Sequence, residues 1–204
     1  VNNLTVAITD KTVDAGELNA LNAKTTVNID ATAVKTITGA ASAIDTLYTA
    51  GGVTGLGAEA ITLSDSSITA TLLNTINGYT SVAVDAATVT TLSGTAENIK
   101  TAYADAAKSE ISNLGDEAVS VSDKSISVAD ANSISGSTTG LVTATITETD
   151  MATLADLKDS GEQVNNFTIT VTDSSVAADA LIALNAKTSS SITTTNVKTL
   201  TGNG

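Results

Sequence analysis

Cysteine, proline, histidine, arginine and tryptophan are all absent from these 204 residues, and one Phe and three Tyr make up the aromatic content. Without Cys there is no disulfide and no thiolate ligand, and without His the usual general base is missing. Without Arg there is no bidentate clamp for phosphate. Positive charge is also scarce, nine Lys against 22 acidic residues for a net −13. Such a surface repels nucleic acid, whose binding depends on neutralised phosphates, and it repels anionic lipid headgroups. No apolar run reaches the length of a membrane span, and no secretory leader pattern is present. The first residue is Val rather than Met, so Val1 is expected to be a boundary inside a larger polypeptide.

What is present is repetition. Val1–Gly39 and Val164–Gly202 align without a gap and share 22 identities in 39 positions, an offset of 163 residues. Fixed-offset self-similarity is the mark of a repeat architecture. Hydrophobic residues are 42% of the chain. With so few rings the core must be Val, Ile, Leu and Ala, which suit thin, regular layers.

Eight rungs can be read, each with an apolar strand position followed by a second one. They are Ile8/Val13, Ile29/Val34, Leu63/Ile68, Val84/Val89, Val121/Ile126, Val142/Ile146, Val171/Val176 and Ile192/Val197. Steps of 21 residues alternate with longer ones of 34, 37 and 29 residues. The longer steps hold the segments 49–60 and 104–118, read as insertions on one side of the structure. Val and Ile alternating with Thr and Ser predict strands. The i,i+3 pairs Leu18/Leu21, Leu73/Ile76, Ala131/Ile134 and Leu181/Leu184 predict short helices with one apolar stripe. Strand–helix–strand crossovers are right-handed. The expected fold is therefore a right-handed α/β solenoid of about eight rungs, a parallel sheet backed by short helices; an all-β right-handed parallel β-helix is the alternative. The expected organisation is one solenoid over residues 1–204, a superrepeat 1–163 followed by a truncated copy 164–204. Eight rungs at strand spacing make a rod roughly 35–40 Å long.

Stacking the rungs places Asp10, Asp65, Asp123 and Asp173 in one column. Hard cations want several carboxylates, so the column could bind calcium. Turn formation is the plainer reading, the carboxylate accepting backbone N–H groups. Intervening rungs carry Ala31, Ala86, Ala144 and Thr194 there, which separates the acids by about 9.6 Å and favours the turn. A mixed cluster that adds Asp30 or Asp85 to Asp10 and Asp65 keeps calcium as a second reading. Thr25, Thr80, Thr138 and Thr188 form another column, read as β-formers with solvent-facing hydroxyls. Asn22, Asn77, Asn185 and Ser135 end the short helices, in the place of left-handed caps. Tyr48 and Tyr103 occupy equivalent places before the two insertions and could form a ligand platform, core packing being the plainer role.

Units such as ITLSDSSITATLLNTIN, VDAATVTTLSGTAENI and VTDSSVAADALIALNAKT run through the whole chain. In this style the chain resembles the Thr/Ala/Asp-rich, Cys-free repeat regions of very large secreted or surface-anchored bacterial proteins, the cyanobacterial and marine adhesin-like proteins exported by type I secretion. That resemblance implies an extracellular, acidic, structural or adhesive role. The calcium nonapeptide G-G-x-G-x-D of haemolysin-type toxins is missing, so calcium binding does not carry over. No catalytic motif is found. The expectation is a non-catalytic spacer or adhesion module that takes no cofactor. The alternative is a calcium-dependent binding module for carbohydrate or cell surface. Expected partners are cell-surface glycans or proteins and, end to end, further copies of itself, but not nucleic acid or the membrane interior.

Overall fold

The computed structural model describes residues 3–158 and 164–202. In chain order the elements begin β1 (Val6–Ala7), β2 (Thr12–Asp14), α1 (Ala15–Asn22), β3 (Ile29–Asp30), β4 (Thr36–Gly39), α2 (Ala41–Thr49), β5 (Val53–Thr54), β6 (Ala60–Leu63), β7 (Ser67–Thr69), α3 (Ala70–Asn77), β8 (Val84–Asp85) and β9 (Thr91–Gly94). They continue α4 (Ala96–Ala107), β10 (Ile111–Ser112), β11 (Ala118–Val121), α5 (Val128–Ser135), β12 (Val142–Thr145), α6 (Met151–Leu154), β13 (Asn166–Thr168), β14 (Ser175–Ala177), α7 (Ala178–Asn185) and β15 (Thr199–Thr201). The fold is α/β with parallel sheets, and the seven helices among the described residues set aside the all-β alternative. The chain divides into two compact units, Val1–Thr90 with Thr101–Leu114, and Thr91–Lys100 with Gly115–Gly204.

In the first unit β2, β4, β6, β8 and β10 form one parallel sheet, and β1, β3 and β5 another. Its core is a ladder of like residues in register: Val13 on Ile37, Ile37 on Ile61, Ile61 on Val84 and Val84 on Ile111. Ile37, Ile61 and Val84 are fully buried. Each such side chain contributes about 1.5–3 kcal/mol by leaving water. α1, α2 and α3 pack side by side. The spacing of Ala41/Ile44/Leu47 and of Ala70/Leu73/Ile76 points one stripe of each helix inward, and all six residues are buried. Gly39 closes β4 at φ 135°, a conformation that strains any L side chain. A Cβ there would also lie 3.0 Å from the Asp14 carboxylate.

In the second unit β9, β11, β12 and β13 follow one another in parallel, with Leu92 on Val119, Val119 on Val142 and Ala144 on Phe167. β14 pairs with β15 through Val176 and Leu200. α5 buries Val128, Ala131 and Ile134.

Strand register differs from the sequence expectation. Val6 rather than Ile8 lies on Ile29, Ile61 rather than Leu63 on Val84, and Val119 rather than Val121 on Val142. The step is therefore 23 residues in these three pairs and not 21. A slip of two keeps every side chain on its own face, so the apolar pattern alone cannot reveal it. The two segments read as insertions, 49–60 and 104–118, contain β5 and β10, which pair with β3 and β8 as the other strands do. The apparent alternation of short and long rungs came from passing over β5 and β10, which lie inside two of the long steps. The helix ends differ as well. Gly78 and Gly136 cap α3 and α5 with φ near −70° and −78°, right-handed values, so no left-handed residue is needed.

Candidate functional site

The Asp column is built around helix N-termini, whose first N–H groups lack partners within the helix. The Asp65 Oδ2 accepts the Ala41 N–H at 2.7 Å, Asp123 Oδ2 the Ala96 N–H at 2.7 Å, and Asp173 Oδ2 the Met151 N–H at 2.8 Å. Each carboxylate thus caps the first residue of a helix that begins 22 to 27 residues earlier. Glu148 does the same for Val128 at 3.0 Å. α2 depends most on this arrangement, because its own N-cap is Ala40, which has no side-chain acceptor. A carboxylate at a helix N-terminus also meets the positive end of the helix dipole. Asp10, the first member of the column, is exposed.

Asp30 and Asp85 make different contacts. Asp30 accepts the Thr32 N–H at 3.0 Å and its hydroxyl at 2.7 Å, and these two bonds, the N–H foremost, hold its carboxyl below the usual range. Asp85 accepts the Ala87 N–H at 3.1 Å and the Asn113 amide at 2.7 Å. Among the described residues, no three acidic side chains gather as a cation would require. The turn role expected for the column is in fact the role of Asp30 and Asp85.

The Thr column faces inward, not to solvent. Thr25 Oγ1 donates to the Leu4 carbonyl at 3.2 Å, Thr80 to Glu59 at 2.6 Å, Thr138 to Glu117 at 2.8 Å and Thr188 to Phe167 at 2.7 Å. Each hydroxyl also accepts the N–H two residues ahead, at 2.9–3.1 Å. Every one of these staples spans 21 residues. The constant 21 of the sequence is the reach of a threonine hydroxyl to the preceding repeat. Asn22 adds a similar link, its amide donating to the Gly51 carbonyl at 2.9 Å.

Tyr48 does not form a platform with Tyr103, whose side chain is buried at 8% exposure. Its partner is Tyr79, stacked at 4.8 Å between ring centroids with planes 5° apart. The Tyr48 hydroxyl donates to Glu59 Oε2 at 2.8 Å, and the Tyr79 hydroxyl donates to Asp45. Glu59 is 2% exposed and also accepts the Gly57 N–H at 2.8 Å. Burial, reinforced by Glu59, pushes the Tyr48 hydroxyl far above the ordinary phenol value, and the bond to Asp45 raises Tyr79. Stability from these two groups is complete below about pH 10 and is lost as pH rises beyond it, because each folded-state pKa is the higher one. A tyrosinate difference titration should therefore show the component missing in Tyr48→Phe ionising well above the free phenol. Ionisation of that component near pH 10 would contradict the Tyr48–Glu59 contact.

Acidic groups thus bind backbone N–H groups far more than cations. Lys100 pairs with Asp130 and Lys108 with Asp105. No helix among the described residues is long and apolar enough to cross a membrane. Comparison with family models, with curated proteins and with solved structures gave no match.

Proposed function

We propose that the chain is a structural spacer or adhesion repeat of a large extracellular bacterial surface protein, folded as a right-handed α/β solenoid and without a catalytic role. The observation that carries this reading is the use made of the recurring polar residues. Asp65, Asp123, Asp173, Glu148 and the four threonines all fasten one repeat to another. Residues that recur because every repeat needs them describe a scaffold, whereas catalysis needs one unique desolvated site. Recognition of cell-surface glycans or proteins would fall to the non-repeating surface around the Tyr48–Tyr79 pair.

Calcium-dependent binding is the second reading, favoured by the excess of 22 acids over nine Lys. One experiment separates the two. Small-angle scattering of the chain, with and without millimolar calcium, should give the same elongated, stiff profile in both solutions. A compact globule contradicts the spacer, and a profile that tightens with calcium and relaxes with EDTA supports the second reading.

A further inference from the structure

We propose that the groove between the end of α3 and the turn that follows α4 is a binding site for a neutral glycan. The assignment rests on the reading of the chain as an adhesion repeat that meets cell-surface glycans, and it adds the place and the class of sugar. Two turns of the first unit share one backbone and differ in their side chains. One follows α2, where Ala50 is succeeded by Gly51 at φ 69°. The other follows α4, where Lys108 is succeeded by Ser109 at φ 64°. The strands after them pair alike, Val53 on Ile29 and Ile111 on Val84. The carbonyls of Gly52 and Glu110 accept the N–H groups of Ile29 and Val84 at 2.8 and 2.9 Å. The fold therefore needs only Ala-Gly-Gly at this corner. In the second turn the chain carries Lys-Ser-Glu there, three exposed functional groups in a row.

Ser109 is the telling member. A left-handed φ strains a residue with a Cβ, and serine lacks the ease with which asparagine adopts it. Asn113, at φ 57° where the other turn has Gly55, is compensated by its amide bond to Asp85 at 2.7 Å. The Ser109 hydroxyl makes no hydrogen bond among the described residues and stands exposed on the groove wall. A strained side chain that bonds to nothing in the fold points to a ligand.

The groove has the room and the chemistry for a sugar. Its volume is about 510 Å³, within the range of small-ligand sites. Asp105 organises one wall, accepting the Lys108 ammonium at 2.9 Å and the Asn77 amide at 3.3 Å. At the first turn the equivalent Asn22 donates instead to the Gly51 carbonyl at 2.9 Å, and a Cβ on Gly52 would collide with its amide. Only the second corner therefore leaves room for a Glu110 side chain. Lys108 offers donors, Glu110 offers acceptors, and the Ser109 hydroxyl serves either way. Among the described residues lining the groove, Val82 is the only large apolar one, at 42% exposure. That mixture suits a pyranose, whose hydroxyls both donate and accept and whose C–H face packs on an apolar side chain. An anionic sugar would meet Asp105 and Glu110 on a chain of net −13. A cationic one would be repelled by Lys108. A neutral glycan avoids both. Tyr79 lies between Gly78 and Thr80, which both line the groove, so the site borders the Tyr48–Tyr79 pair.

The test is amide chemical-shift mapping of the chain titrated with millimolar cellotriose, maltotriose, mannotriose and triacetylchitotriose, with trigalacturonate as the acidic control. At least one neutral trisaccharide should shift the amides of Ser81, Val82, Ser109 and Glu110 while those of Ala50, Gly51 and Gly52 stay in place. The triple variant Lys108→Ala, Ser109→Gly, Glu110→Gly installs what the fold already carries at 50–52, so it should fold and bind at least about tenfold more weakly. Ser109→Gly alone should raise Tm by about 2–4 °C and weaken binding about fivefold, a pairing that a structural serine would not give. Silence at the groove amides with every neutral trisaccharide, or a preference for trigalacturonate, would overturn the proposal. Full binding by the triple variant, or a Ser109→Gly protein that loses stability or keeps full affinity, would do the same. Sugar shifts confined to other residues would remove this site but not the adhesion reading, and the spacer reading is decided by scattering alone.

Discussion

Thr188→Val lowers the unfolding free energy by about 2–4 kcal/mol, although the replacement has nearly the same shape and is more apolar. The Thr188 hydroxyl donates to the Phe167 carbonyl at 2.7 Å and accepts the Phe167 N–H at 3.0 Å. It also accepts the Ser190 N–H at 3.1 Å. Thr188 is 5% exposed and Phe167 is 1% exposed, so water cannot reach the groups that valine leaves behind. Each buried backbone group without a partner costs about 1–3 kcal/mol, while one added methyl returns less than 1 kcal/mol. The polar loss therefore wins. Urea unfolding of the two proteins measures it, and a variant as stable as the wild type would mean that the column is ornamental. Thr25→Val, where hydroxyl and carbonyl lie nearer the surface, should cost less than Thr188→Val.

Glu59→Ala destabilises by about 2–3 kcal/mol for a related reason. It removes the acceptor of both the Tyr48 hydroxyl and the Gly57 N–H, and it empties a site that is 2% exposed. Glu59→Gln keeps one oxygen that can accept a hydrogen bond, so its loss should be smaller. The backbone carbonyl of Glu59 still receives Thr80 in either variant, which holds the strand entry in place. The Tyr48–Tyr79 stack depends on the orientation set by that hydroxyl, so near-ultraviolet dichroism should weaken along with stability in Glu59→Ala. An unchanged aromatic signal with unchanged stability would show that Glu59 does not organise the pair.

The layered α/β character was legible in the sequence because period-2 and i,i+3 patterns survive any small error of register. Leu73 and Ile76, or Ala131 and Ile134, could face inward in one way only. Register was not legible, since Val6 and Ile8 have the same parity and only geometry selects Val6 for Ile29. β5 and β10 escaped notice for a simpler reason. Each is two residues long, too short for any alternation to register.

The roles of the polar columns were half legible. A threonine that faces solvent and one that staples a neighbouring repeat look alike in a strand-rich sequence. The difference lies in which carbonyl stands 21 residues behind it, and the sequence does give that constant. The Asp column carried a usable signal elsewhere. α2 starts from Gly39-Ala40-Ala41, with no Ser, Thr, Asp or Asn to cap it, so an acceptor had to come from another repeat. Stacking the rungs had already placed Asp65 one repeat away. Gly39 and Gly94, which end β4 and β9, both adopt positive φ. The aromatic pairing was out of reach, because Tyr79 follows a helix in a segment with no counterpart Tyr in the other repeats.

The central claim is that acids and threonines recurring along the chain hold one repeat to another. Amide exchange at Ala41, Ala96 and Met151 tests it most directly, since each N–H is the first of its helix and is satisfied only by a carboxylate more than twenty residues away. The wild type should protect all three amides. Asp65→Ala should speed exchange at Ala41 by about fivefold, as expected for losing a cap worth about 1 kcal/mol, while Ala96 and Met151 stay slow. Fast exchange at Ala41 in the wild type, or exchange indifferent to Asp65, would contradict it.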